Sequence, residues 1–311
     1  MRTTPVTLRA LAPAKINLGL FVGPVRDGDG RHELASVMQS ISLADELTLV
    51  SAGASAEADE LVCEGVPGAP QENLAAAALR AFRESTGWRA PPLRLSVVKR
   101  IPLAAGLGGG SADAAATLRL ARSASGLGDE RLLRELAQAL GADVPAQVAP
   151  GRWLASGAGE RLLALPPPRK PFGVLVLPIA AELSTAAVYR EADRLAVARD
   201  AGEIARLREQ LQAAFIDGAA LPARAAMLHN DLQRPAMSLC PQIAPALARM
   251  RAAGAAAALV SGSGPTVLGL FASAARARAG ACAAFAGARA PLCAEPVGAG
   301  FGRPAALAGA G

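Results

Sequence analysis

Polar groups set in apolar sequence mark where chemistry could take place. Lys15 and Asn17 interrupt the run Pro13-Ala14-Lys15-Ile16-Asn17-Leu18. Strand positions two apart project from one face. An ammonium and an amide would thus point together, either into a cleft or into solvent from an edge strand. Asp143 stands in Leu140-Gly141-Ala142-Asp143-Val144-Pro145. A carboxylate among apolar neighbours is costly to ionise without a cation beside it, so the pattern asks for a basic partner. A turn or capping acid would read the same. Lysine is scarce here: of 32 basic residues only Lys15, Lys99 and Lys170 are not arginine. In so arginine-rich a chain a lysine points to a need for a compact ammonium rather than a fork.

Anion binding is written in a second stretch. Pro102, Leu103, Ala104, Ala105, Gly106, Leu107, Gly108, Gly109, Gly110, Ser111 and Ala112 form a glycine cluster that runs into an alanine-rich helical pattern, Ala112 to Ala121. Glycine tolerates positive φ and lets backbone N–H groups approach a ligand closely. A helix start adds four unpaired N–H groups and a positive dipole end, and phosphate is the usual guest of that combination. Neither common phosphate loop matches, because Ser111 stands both at the lysine of G-x-x-x-x-G-K-[ST] and at the third glycine of G-x-G-x-x-G. Ser111 is instead expected to cap the helix with its hydroxyl.

These residues need elements to hold them. Val6 to Ala12 alternates as a strand, and Pro13 to Val22 is a second apolar run. Asp27-Gly28 and Asp29-Gly30 are turn dipeptides. Leu93 to Val98 is a strand feeding the glycine loop, and Asn73 and Gly87 bound a helix over Leu74 to Ser85. Asp129 caps a helix through Leu140, ended at Gly141. Leu165 to Pro171 holds four prolines and divides the chain into residues 1–168 and 169–311. Beyond it come a buried strand at Phe172 to Leu177, a helix opening at Ser184-Thr185, and further helices within 185–211 and 242–253. Ala257 to Phe271 reads as strand, glycine turn, strand, and Ala274 to Phe285 as a helix. The Gly/Ala-rich tail after Val297 is expected to be disordered.

The composition narrows the class. A hydrophobic fraction of 52% supports real cores, and 3% aromatics means that Leu, Val and Ala must pack them. No apolar run reaches the ~18 residues of a membrane helix, and no targeting pattern opens the chain, so a cytoplasmic protein is expected. Four scattered cysteines without C-x-x-C spacing argue against zinc or a disulfide framework. The net charge of +6 suits an anionic ligand. Nucleic acid is not expected as a partner, since the arginines are spread and no aromatics interleave them.

Three stretches in fixed order, Pro13 to Leu18, Pro102 to Ala112 and Ser261-Gly262-Ser263-Gly264-Pro265-Thr266, resemble the three motifs of the GHMP kinase superfamily. Asp29 to Leu34, Leu140 to Pro145, Ser184 to Tyr189 and Asn230 to Leu232 resemble those of members whose alcohol substrate carries a cytidine diphosphate. The resemblance implies an α+β fold, with an N-terminal domain like ribosomal protein S5 domain 2 and a ferredoxin-like C-terminal domain. It implies transfer of the ATP γ-phosphoryl group, with Mg²⁺, to the 2-hydroxyl of a diphosphocytidyl methylerythritol in the non-mevalonate route to isoprenoids. The loop Pro102–Ala112 would wrap the ATP phosphates, with Ser111 also near the metal and Lys99 toward the adenine. Asp143 would be the base and Lys15 the cation that keeps it ionised. Asn17, His32 and Tyr189 match substrate-contacting positions, Tyr189 as a stacking partner of the cytosine. Arg31 departs from the usual aromatic and could stack its guanidinium plane on the base; Ala104-Ala105 replace commoner glycines. A homoserine or mevalonate type of kinase, or a non-catalytic ATP sensor, would share the core motifs but not the segments matched to cytidine.

Overall fold

The structure, a computed structural model, describes residues 7–53, 55–221, 225–286 and 290–307. The chain opens with two long antiparallel strands, β1 (Thr7–Val25) and β2 (His32–Ser51), followed by the short β3 (Glu60–Val62). Helix α1 (Leu74–Thr86) starts where Asn73 accepts from the Ala75 N–H and stops at Gly87 in the left-handed region. Then come β4 (Leu93–Val98), α2 (Gly109–Ser125), α3 (Glu130–Leu140) and the single-turn α4 (Val144–Val148). Strands β5 (Arg152–Gly157) and β6 (Arg161–Leu165) complete this half. The second half runs β7 (Gly173–Leu177), α5 (Thr185–Arg194), α6 (Ala201–Phe215), α7 (Gln233–Leu239), α8 (Ile243–Ala252), β8 (Ala257–Val260), β9 (Val267–Phe271), α9 (Ala274–Ala284), β10 (Leu292–Ala294) and β11 (Ala305–Ala306).

A seven-stranded sheet follows the order β11-β1-β2-β4-β3. β2 pairs along one edge with β1; its other edge takes β5 over Leu34–Gln39 and β4 over Glu46–Ser51, with β6 beyond β5. One apolar cluster packs α1, α2, α3 and α4 on this sheet around Leu47, Leu95, Phe82 and Leu118. The second sheet is antiparallel, in the order β10-β7-β9-β8. Numbered within this half, that is 4-1-3-2 with helices before the second and fourth strands, the split βαββαβ arrangement. All five residues of β7 are buried, as befits a central strand covered on both faces. A second cluster joins the halves: Ile16, Leu18 and Val37 meet Phe172, Val174, Leu211 and Phe215.

Three expectations are corrected. The apolar runs either side of Pro13 are one strand, because a bulge between Pro13 and Lys15 absorbs the proline without ending the ladder; Val6 lies outside the described residues. Ser111 does not cap α2: Gly108, at φ 67, turns the chain into the helix earlier, and no side chain caps it. The segment after Val297 is not disordered through Leu307. Gly302 is buried, Ala305 and Ala306 pair with Arg9 and Leu8, and only residues 308–311 fall outside the described ones.

Candidate active site

The register shift between Pro13 and Lys15, where β2 carries the extra residues, falls where the polar residues of β1 begin. The Lys15 N–H leaves the sheet and donates to Leu107 O in the glycine loop at 2.9 Å. Its ammonium lies 3.0 Å from Asn17 Oδ1 and 3.4 Å from Asp143 Oδ2. Asn17 Nδ2 donates to Ser36 Oγ at 2.7 Å, and Ser36 donates in turn to Gly19 O. Lys15 and Asn17 are buried and directed together; Asp143, at the start of α4, keeps 39% of its side chain exposed. A cation and an acid 128 residues apart in sequence thus meet in one cleft of about 890 Å³.

The cleft is bounded by the turns of both halves. Gly106, Gly108 and Ser111 line it on one side, and Gly262 and Ser263 on the other. The turns touch so closely that a Cβ on Gly106, at φ 70, would sit 2.3 Å from Ser261 O; that position admits only glycine. Asn230 holds the second turn, donating through Nδ2 to both Val260 O and Gly262 O. Beside the cleft, Lys99 and Pro102–Ser111 wall a smaller cavity of about 310 Å³. Lys99 itself is held from beneath by Asp45, at 2.5 Å, and Asp113, at 2.7 Å. The other Asp45 oxygen accepts from the Arg100 and Ile101 N–H groups, so the triad fastens the root of the loop to the first turns of α2. Nothing in the sequence singled out Asp45 or Asp113.

His32 and Tyr189 stack on each other, ring centroids 5.3 Å apart and 29° from parallel. His32 lies with Nδ1 at Gly23 O and Nε2 3.0 Å from Asp193. Burial, with the nearby Asp143 charge, pushes the Tyr189 hydroxyl up to about 12 against the opposing pull of Arg31, so the phenol stays a hydrogen-bond donor. Arg31 donates to Ala158 O at 2.9 Å and also faces the cleft. One face of Tyr189 is thus taken by the imidazole.

No group of three or more His, Cys, Asp and Glu among the described residues forms a metal cage. The Ser111 hydroxyl and the Asp143 carboxylate both line the cleft beside the loop. Such a sparse set fits Mg²⁺, which is commonly bound through one or two protein oxygens together with substrate phosphates and water. Among the described residues no helix is long and apolar enough to cross a membrane.

Two family models match the chain, the GHMP kinases N terminal domain over residues 73–151 and the GHMP kinases C terminal domain over residues 196–287. A 4-diphosphocytidyl-2-C-methyl-D-erythritol kinase from Streptomyces coelicolor is 44% identical over 268 residues, covering 84% of this chain and 86% of the relative. A crystal structure of a 4-(cytidine 5'-diphospho)-2C-methyl-D-erythritol kinase superposes with a TM-score of 0.72 at 35% identity, covering 93% of this chain and 98% of the other. A homoserine kinase from Cytophaga hutchinsonii superposes nearly as well, with a TM-score of 0.71, but at 17% identity over 99% and 98% of the two chains, so it shares the fold alone.

Proposed function

Because the chain belongs to the 4-diphosphocytidyl-2-C-methyl-D-erythritol kinase family of the GHMP kinases, we propose that it moves the ATP γ-phosphoryl group to the 2-hydroxyl of that cytidyl alcohol. The observation that carries this reading is the Lys15–Asp143 pair, 3.4 Å apart in a cleft that also holds the glycine loop and the His32–Tyr189 stack. A kinase site needs mainly positioning and charge neutralisation.

Each part has work to do in that reading. Loop amides between Leu103 and Ser111 cradle the phosphates, aided by the positive end of α2. Lys99 shapes the wall of the nucleotide side, its ammonium already engaged by two carboxylates. Ser111 would hold Mg²⁺, and the ion would supply neutralisation of charge on the transferring group. Asp143 accepts the hydroxyl proton, and Lys15, fixed by Asn17, keeps that carboxylate ionised and oriented. Tyr189 offers its free face to the cytosine, a contact worth on the order of 1–3 kcal/mol. His32 backs that ring.

The test is ATP consumption by the purified protein with Mg²⁺ and, separately, the cytidyl alcohol, homoserine or mevalonate. Turnover is expected with the cytidyl alcohol alone; turnover only with another acceptor would overturn the substrate reading, and none with any would favour an ATP sensor. Asp143→Asn should bind ATP as the wild type does and lose about 10²–10⁴-fold in kcat. Full activity in that variant would remove Asp143 from the role of base.

A further inference from the structure

The cleft's two reacting side chains come from elements that no sheet ladder joins directly, β1 for Lys15 and the loop before α4 for Asp143. One buried side chain links them. Gln147, 1% exposed, lies four residues beyond Asp143 on α4. Its Nε2 donates to Pro13 O at 2.8 Å, at the register shift that precedes Lys15. Its Oε1 accepts from Ser40 Oγ at 3.1 Å, and Ser40 is the residue paired with Lys15 across the β1–β2 ladder. Ser40 is fixed in turn, since its Oγ accepts the Gly151 N–H and its N–H donates to Gly151 O. The backbone of the same glutamine is gripped as well: Arg119 Nη1 donates to Gln147 O at 2.5 Å while Nη2 donates to Leu11 O.

We infer that Gln147 is a positioning residue for phosphoryl transfer, setting where α4 presents Asp143 relative to Lys15. The inference rests on the kinase reading above for its activity readout. Asp143 has no side-chain cap bond, and its ion-pair partner among the described residues is Lys15. The pair's separation is therefore set by how α4 sits on β1, and the Gln147 amide is the direct side-chain link from α4 to β1 at Pro13. Both amide atoms are used, one as donor and one as acceptor, so neither an acid nor an aliphatic residue of the same length can satisfy both partners. A slip on the order of 1 Å at reacting groups can cost about 10²-fold in rate.

Gln147→Met keeps the length and packing of the side chain and removes both hydrogen bonds. It should lower kcat by roughly 10–100-fold and leave KM for ATP and for the cytidyl alcohol within about two-fold, since Gln147 lines neither the cleft nor the loop cavity. A crystal structure of the variant should show the Lys15–Asp143 pair opened beyond its 3.4 Å. Ser40→Ala, which retains the Pro13 bond, should give a smaller loss, and the double variant less than the product of the two. If Gln147→Met does not fold, Ser40→Ala alone decides. A kcat within two-fold of wild type, or an unchanged Lys15–Asp143 separation, would overturn the inference, as would a rise in both KM values with kcat preserved. Should the wild type leave the cytidyl alcohol unphosphorylated, the kinase reading fails, and the crystallographic separation still judges the positioning role.

Discussion

Asp113 and Lys99 meet where one ammonium serves two buried carboxylates, the second being Asp45. Burial raises Asp113 from its usual carboxylate value to about 7; the Asp45 charge adds to this and the Lys99 charge opposes it. Its Oδ1 is buried without a partner, an arrangement that suits a neutral carboxyl better than an anion. The sign of the pH dependence follows. The folded value lies above the unfolded one, so the folded chain holds an extra proton between about pH 4 and pH 7. The stability this gives is complete below pH 4 and is lost as the pH rises through 7. Asp113→Asn, neutral at every pH and still able to accept from Lys99, should match the wild type near pH 4 and exceed it by about 1 kcal/mol or more at pH 8. Urea unfolding from pH 4 to 8.5 measures this, and a pH-independent difference would refute it. Because the triad fastens the loop root through the Arg100 and Ile101 amides, its protonation also bears on how firmly the phosphate loop is held.

At the scale of the element, the loop and helix that follow show what local sequence can and cannot reveal. Ala104 sits at φ 50 in the loop, a conformation costing an L-residue roughly 1–2 kcal/mol. A β-branched side chain tolerates it worst. Ala104→Val should therefore raise KM for ATP several-fold, while Ala104→Gly should leave it within about two-fold; equal behaviour of the two variants in steady-state assays would show that this backbone kink plays no part in nucleotide binding. Elements whose ends are chosen by adjacent residues were legible: Asn73 and Gly87 bound α1, and Asp129 caps α3, because each cap acts within three residues. The start of α2 was not, since Gly108 turns the chain by its own φ and leaves Ser111 inside the helix. Lys15, Asn17 and Asp143 could be singled out from type and setting, whereas Gln147 and Asp45 could not. Their partners lie 134 and 54 residues away, and an isolated Gln or Asp in an apolar stretch carries no sign of which carbonyl or ammonium it will meet.

At the scale of the whole molecule, the cleft exists because two halves are braced from behind as well as joined in front. In front, the glycine turns interlock through Gly106 and Ser261, and β1 grips the loop through Lys15 N–H. Behind, the chain after β10 returns to the first sheet, where β11 extends the β1 edge at Leu8 and Arg9. Arg119 makes this return structural. Its buried guanidinium meets no carboxylate; it donates instead to Gly302 O, Gln147 O and Leu11 O, and burial alone brings its pKa down to about 10. A cation solvated only by carbonyls is sensitive to losing any one of them, at about 1–3 kcal/mol for a charged group left short of a partner. Deleting the chain from Gly298 onward removes the Gly302 carbonyl and the two backbone pairs of β11 together. The truncated protein should melt several degrees lower, at about 2–4 °C per kcal/mol for a chain of this order of size. KM for ATP and for the cytidyl alcohol should stay within about two-fold, because among the described residues none beyond Ser263 lines the cleft. An unchanged melting temperature in calorimetry would mean that the return to β1 adds nothing to stability. A large rise in either KM would mean that the brace reaches the ligands through Arg119 and α4 and is felt at the site itself.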